Sequence, residues 1–263
     1  MIPKAYIAQW RVHAPWLQSE QVEQDLILSR ILIELFSDPY LRQNLAFRGG
    51  TALHKLHLLP APRYSEDIDL VQIVPGPIKP ILEKIQEVVQ FFDEPRQTKV
   101  SGHGAKALYR FTSEDEQIRM RVKVEINCQE HFHVLPWSEI PFSIQNPWYA
   151  GSTSIRSYDF NELLGTKFRA LYQRKKGRDL FDLDYARRES RMDLGLVVDC
   201  FQHYTKAATG SIPTRKLVEQ NLLTKRYERE FLGDIYAILR PGVDYNQDAA
   251  FEWILDELVP LLE

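Results

Sequence analysis

From Ile118 to Cys128 every second residue is apolar. Ile118, Met120, Val122, Val124, Ile126 and Cys128 fall on one side, and Arg119, Arg121, Lys123, Glu125 and Asn127 on the other. Successive side chains of a strand point to opposite faces, so this segment predicts a β-strand with one face on a core and the other polar. A chain that contains it must build a sheet. Further strands are predicted over Ile68–Val74, Thr98–Val100 and Ala107–Thr112, with a short one at Leu45-Ala46-Phe47. Apolar residues recur at helical spacing over residues 20–37, with Ser19 as the expected N-cap and Asp38-Pro39 as the stop. Short helices are expected over Thr51–Leu58 and residues 78–92. From about residue 159 the strand patterns give way to helical ones, roughly 160–174, 179–188, 193–207, 214–224, 227–238 and 248–262. The expected fold is α+β, with a mixed-sheet domain over residues 1–155 and a helical domain over 156–263.

At 263 residues the chain is long enough for an ample core. Its hydrophobic content of 44% and charged content of 26% are ordinary for a globular protein. A formal charge of −3 gives no bulk signal for nucleic acid, although local patches are not excluded. Cys128 and Cys200 form neither a disulfide framework nor a zinc spacing, which fits a reducing compartment. Met1-Ile2-Pro3-Lys4 opens no signal peptide, and runs such as Ile31-Leu32-Ile33 are far too short to span a bilayer. The reading is a soluble cytoplasmic protein without a membrane partner.

Asp67 and Asp69 lie two apart at the start of a predicted strand, so both carboxylates aim at one point. A divalent cation relieves their repulsion, and Mg²⁺ takes oxygen ligands from one or two carboxylates plus substrate phosphates. Glu125 is the isolated acid among bases on the polar face of the 118–128 strand. If the two strands are neighbours, it supplies a third carboxylate for phosphoryl-type transfer. Bland readings stand beside these: a solvated acidic turn for the pair, and a cross-strand salt bridge to a lysine or arginine for Glu125.

Gly49-Gly50-Thr51 sits between a short strand and a helix, where glycines let a phosphate approach the backbone and the following N–H groups face an anion. A plain tight turn is the alternative. Arg63 and Ser65 are either phosphate contacts or loop decoration. Between residues 165 and 191 nine basic residues stand against four acidic ones, an asymmetry that suits a triphosphate or an RNA backbone; a solvated helix face is the alternative. Lys167 is a candidate point-charge binder of phosphate. Asp179 and Asp182 are neighbours on the next helix, and the helix dipole alone accounts for Asp179.

Taken together, Phe47-Arg-Gly-Gly-Thr-Ala-Leu-His-Lys55, Arg63-Tyr-Ser-Glu-Asp-Ile-Asp-Leu70, Lys167 and Arg178-Asp-Leu-Phe-Asp-Leu183 resemble the AbiEii/AbiGii toxin family over roughly residues 20–190. These are nucleotidyltransferases of the DNA polymerase β-like superfamily. The resemblance implies a polymerase-β-like domain followed by a helical bundle, and a type IV arrangement with an AbiEi-like antitoxin, in the setting of phage defence. Related MenT-type toxins add nucleotides to the 3′ end of tRNA and stop translation. By this resemblance Gly49, Gly50 and Thr51 match the phosphate turn, and Asp67 and Asp69 match the ligands of Mg²⁺, with Mn²⁺ as a substitute. Lys167 matches the lysine that meets the triphosphate of the NTP. Asp179 and Asp182 match the acids of the last motif, of which at least one serves catalysis. Glu125 falls where superfamily members often carry a third acid. A protein or small-molecule hydroxyl as acceptor, and a nucleotide-binding regulatory module without turnover, are the competing readings.

Overall fold

The strand with the polar face organises the first of two units, Met1–Tyr158 and Asp159–Glu263. The computed structural model describes residues 2–102, 104–114, 117–189 and 191–262, with the backbone alone at Leu232. In chain order the first unit contains α1 (Lys4–Trp10), α2 (Ser19–Ser37), α3 (Pro39–Asn44), β1 (Leu45–Arg48) and α4 (Gly49–Ala52), which widens into a π-turn over Leu53–His57. Next come β2 (Asp67–Gln72), α5 (Lys79–Val88), β3 (Gln97–Ser101), β4 (Gly104–Thr112), β5 (Arg119–Asn127), β6 (Ser138–Asn146) and β7 (Tyr149–Ser157).

The seven strands form one mixed sheet in the order β3-β4-β5-β2-β1-β7-β6. β2 runs parallel to β5 and β1 parallel to β7, while the remaining pairs are antiparallel. The alternation read from the sequence holds through the centre: Val122, Val124 and Ile126 are buried on one side of β5. α2 packs against β5, β6 and β7. It is buried through Val22–Ser29 and again at Ile31, Leu32, Ile33, Leu35 and Phe36, a wide apolar stripe that takes the polar side chains of Glu23, Gln24, Asp25 and Ser29 into the interior with it.

Some local features differ from the sequence reading. Ser19 is the first helical residue rather than the cap; its hydroxyl accepts from Arg11 Nη2 at 3.0 Å. Asp38-Pro39 ends α2 and also starts α3, because Asp38 accepts the Leu41 N–H at 2.9 Å and Pro39 fills the first helical position. α1 and the β6–β7 hairpin carry no signal that periodicity detects. The hairpin holds serines, Pro141 and Gly151, and only Ile144 and Ile155 bury large apolar side chains on it.

The second unit is helical: α6 (Phe160–Gln173), α7 (Gly177–Ala186), α8 (Leu194–Thr209), α9 (Arg215–Lys225), α10 (Arg229–Gly233) and α11 (Gln247–Trp253), with 3-10 and π turns at 236–238 and 254–261. α6 and α8 cross at Gly165, where a Cβ would stand 2.4 Å from the Cβ of Cys200. The Phe168 and Phe201 rings, 4.3 Å apart, fill the same interface. Tyr204 closes it by donating to Glu162 at 2.7 Å. The protein is therefore α+β, with a mixed seven-stranded sheet and a helical C-terminal part.

Candidate active site

β2 carries Asp67 and Asp69 on its polar face, and the sheet supplies their neighbours. In register, Asp67 faces Lys123 and Asp69 faces Glu125 across the parallel pair, while Arg48 faces Asp69 from β1. Central sheet position and strong patterning fix that register, since a one-residue slip would turn the acids into the core.

Gly49 forms a seat for Asp69. Its φ of +78° is a left-handed conformation. A Cβ there would stand 2.3 Å from Asp69 Oδ2. Two independent demands, backbone handedness and close approach to a carboxylate, thus select glycine at this position.

Thr51 ties the turn to the acid strand. It is 1% exposed, and its hydroxyl donates to the carbonyl of Asp67 at 2.5 Å. With that proton committed, the 2.7 Å contact to Ser65 is made with Ser65 as donor. Arg63 is also buried, 2% exposed, and donates to the carbonyl of Tyr64 at 3.0 Å. Thr51, Arg63 and Ser65 come together along a cleft of about 320 Å³. Another part of its lining is an ion pair that the sequence did not reveal, between Lys55 and both oxygens of Asp25 at 2.9 Å. Trp10 Nε1 donates to the same carboxylate at 2.8 Å.

Glu125 is held by lysines. Lys123 Nζ lies 2.8 Å from Glu125 Oε1 and 2.9 Å from Asp67 Oδ2, and Lys106 Nζ lies 2.9 Å from Glu125 Oε1. Burial alone would raise the pKa of Glu125, but its hydrogen bonds and charge interactions with the two lysines outweigh that and hold it below the usual range. Burial would lower Lys123, but its hydrogen bonds and charge interactions with Glu125 and Asp67 outweigh that and raise it. Among the described residues no three His, Cys, Asp or Glu side chains cluster as metal ligands. The donor chemistry at Asp67 and Asp69 nevertheless fits a hard cation that takes two carboxylates and completes its shell with phosphate and water.

The second unit gathers the remaining sequence candidates. Lys167 Nζ lies 3.2 Å from Asp179 Oδ1 and 2.8 Å from Asp182 Oδ2, with both aspartates fully buried and Lys167 6% exposed. Arg174, which helical spacing places on the same side as Lys167, grips Asp179 with two hydrogen bonds, Nε at 2.7 Å and Nη2 at 2.8 Å. Burial pushes the Asp179 pKa up and Asp182 adds to it; Lys167 and Arg174 prevail and leave it lowered. The basic stretch of residues 165–191 is largely answered by acids. Lys175 pairs with Glu228, Lys176 and Arg178 with Asp234, and Arg187 with Asp184. Arg169, Arg188 and Arg191 lie over the rings of Tyr204, Tyr185 and Phe160.

Comparison with known proteins gives the same picture from outside. Residues 30–257 match the family model described as nucleotidyl transferase AbiEii toxin, type IV toxin–antitoxin system. No curated protein is matched. The fold is shared with MenT4, a nucleotidyltransferase toxin of Mycobacterium tuberculosis, at a TM-score of 0.72 and 20% identity, over 100% of this chain and 91% of that one. JHP933 from Helicobacter pylori matches at a TM-score of 0.56 and 18% identity, over 92% and 95% of the two chains. The extent of the family match, and the glycine turn and acid pair that lie within it, place this chain in the AbiEii family of nucleotidyltransferase toxins.

Proposed function

We propose that this protein transfers a nucleoside monophosphate from an NTP to the 3′ end of tRNA, releases pyrophosphate and thereby blocks translation. The observation that carries the reading is the seat of Asp69 on Gly49, which joins the phosphate turn to the acid pair with no space between them. Mg²⁺ held by Asp67 and Asp69 would neutralise charge on the triphosphate, with Mn²⁺ able to replace it. The turn at Gly49-Gly50 presents backbone to the phosphates, while Thr51, Ser65 and Arg63 fix the loop that carries Asp67. By the motif each matches, Lys167 is assigned to the triphosphate and at least one of Asp179 and Asp182 to catalysis; within the second unit the two aspartates hold Lys167 in place. Glu125 serves as a buttress for Lys123 and Asp67, because a carboxylate held by two lysines is a weak base. Positioning and charge neutralisation carry most of such a reaction. An AbiEi-like antitoxin and a role in phage defence belong to the same proposal.

The test is incubation with Mg²⁺, each α-labelled NTP and total tRNA. Label should enter RNA with at least one NTP and fall at least about 100-fold in Asp69→Ala, or about 2.7 kcal/mol of transition-state stabilisation. Absence of label with every NTP, or undiminished transfer by the variant, overturns the reading. Label that migrates with protein or with a small molecule reassigns the acceptor. Binding of NTP without pyrophosphate release points to a regulatory module.

A further inference from the structure

The cations of residues 165–191, whose local excess suits a triphosphate or an RNA backbone, are engaged by acids or aromatic rings. A different set is answered less fully, although Lys106 within it is paired with Glu125. On the polar face of the sheet, beside the acid pair, like charges face each other directly across antiparallel strands. Arg110 of β4 is in register with Arg121 of β5, and Lys99 of β3 with Lys106 of β4. Directly opposed like charges destabilise a sheet. Among the described residues the Arg110 and Arg121 guanidinium groups have no ion-pair partner. Arg119 adds a third guanidinium, paired at the surface with Glu94 at 2.7 Å. The three arginines line a groove of about 400 Å³ together with Gln24, Glu66 and Met120. Arg121 lies two residues along β5 from Lys123, the register partner of Asp67, so the groove begins about 7 Å from the row of the catalytic acids.

Such an arrangement is costly in the absence of an anion and favourable in its presence. Guanidinium forks take phosphate oxygens in pairs, and a row of them suits successive phosphates of one strand. We infer that the Arg110–Arg119–Arg121 groove, continued by Lys99, is the docking surface for the phosphodiester backbone of the RNA acceptor. This rests on the proposed transfer to RNA and specifies where that RNA lies.

The experiment measures tRNA binding by the full chain across a salt series, and separately steady-state transfer. Arg110→Gln/Arg121→Gln should weaken tRNA binding about 10-fold or more and shallow the slope of log K against log salt by roughly 1.4–1.8, two phosphate contacts fewer. In transfer the KM for tRNA should rise while the KM for NTP and kcat at saturating tRNA stay within about two-fold. Lys216→Gln, an exposed change in the second unit, should alter none of these. Arg121→Gln alone should also raise the thermal midpoint, since it relieves an opposed like pair; a purely structural arginine would lower it. Unchanged tRNA affinity and salt slope in the double variant overturn the inference. If wild type binds tRNA through these arginines but transfers no nucleotide, the catalytic reading falls and the surface stands. If wild type labels protein and binds no tRNA, the surface falls with it.

Discussion

Between Gly49 and Asp69 there is no room for a methyl group. Gly49→Ala must move the acid, and with the backbone held it also leaves a left-handed alanine, which costs about 1 kcal/mol or more. The expected outcome is near-complete loss of nucleotide transfer in a protein whose urea midpoint falls only modestly. Asp179 makes a prediction of a different kind. Its folded pKa is lowered, so it contributes stability above its unfolded value of about 3.9, and that contribution is lost as pH falls through the folded value. Asp179→Asn should therefore flatten the acid limb of the stability profile. At neutral pH it should cost about 1–3 kcal/mol, because Arg174 and Lys167 lose a charged partner while Lys167 keeps Asp182. Denaturant melts from pH 3 to 7 give both readouts. At this scale the sequence was legible wherever chemistry sits in a short run: Asp67, Asp69 and the glycines announce themselves. Lys123 did not, because its meaning depends on which strand lies beside β5.

Strands whose two faces differ were readable, and strands with little apolar content were not. β2 and β5 declared themselves through Ile68, Leu70, Val122, Val124 and Ile126. The β6–β7 hairpin stayed hidden because it leans on neighbours, such as Ile33 of α2 near Gly151, more than on its own pattern. Tertiary contact decides such elements, and no local window contains it. Gly165 shows the same for helices. It reads as a weak point in α6, yet α8 leaves no room there for a Cβ. Gly165→Val should cost about 1–3 kcal/mol by overpacking against Cys200 and the Val197 carbonyl. A shift of the thermal midpoint by several degrees, without a change in the salt dependence of RNA binding, is the expected signature.

Charge across the whole chain teaches why a local count misleads. Residues 165–191 look strongly basic, yet Glu228 and Asp234, far along the chain, answer Lys175, Lys176 and Arg178. The strip on the sheet is spread over three strands, and the 118–128 segment shows only its Arg119 and Arg121. Ligand linkage is the matching prediction for the intact protein. Mg²⁺–NTP at about 100 times its Kd should stabilise the wild type by about 2.7 kcal/mol, read as a concentration-dependent rise in the thermal midpoint. Asp67→Asn should abolish that rise.

Lys123 and Lys106 carry a last consequence. The positive charge that keeps Asp67 and Glu125 together is built into the chain, so folding has no need to wait for a cation. A chelator should silence nucleotide transfer yet leave the unfolding midpoint of the nucleotide-free protein within about 1 °C. Under the proposed function, removal of the cation would leave this toxin folded and idle, and its return would restart transfer without a folding step.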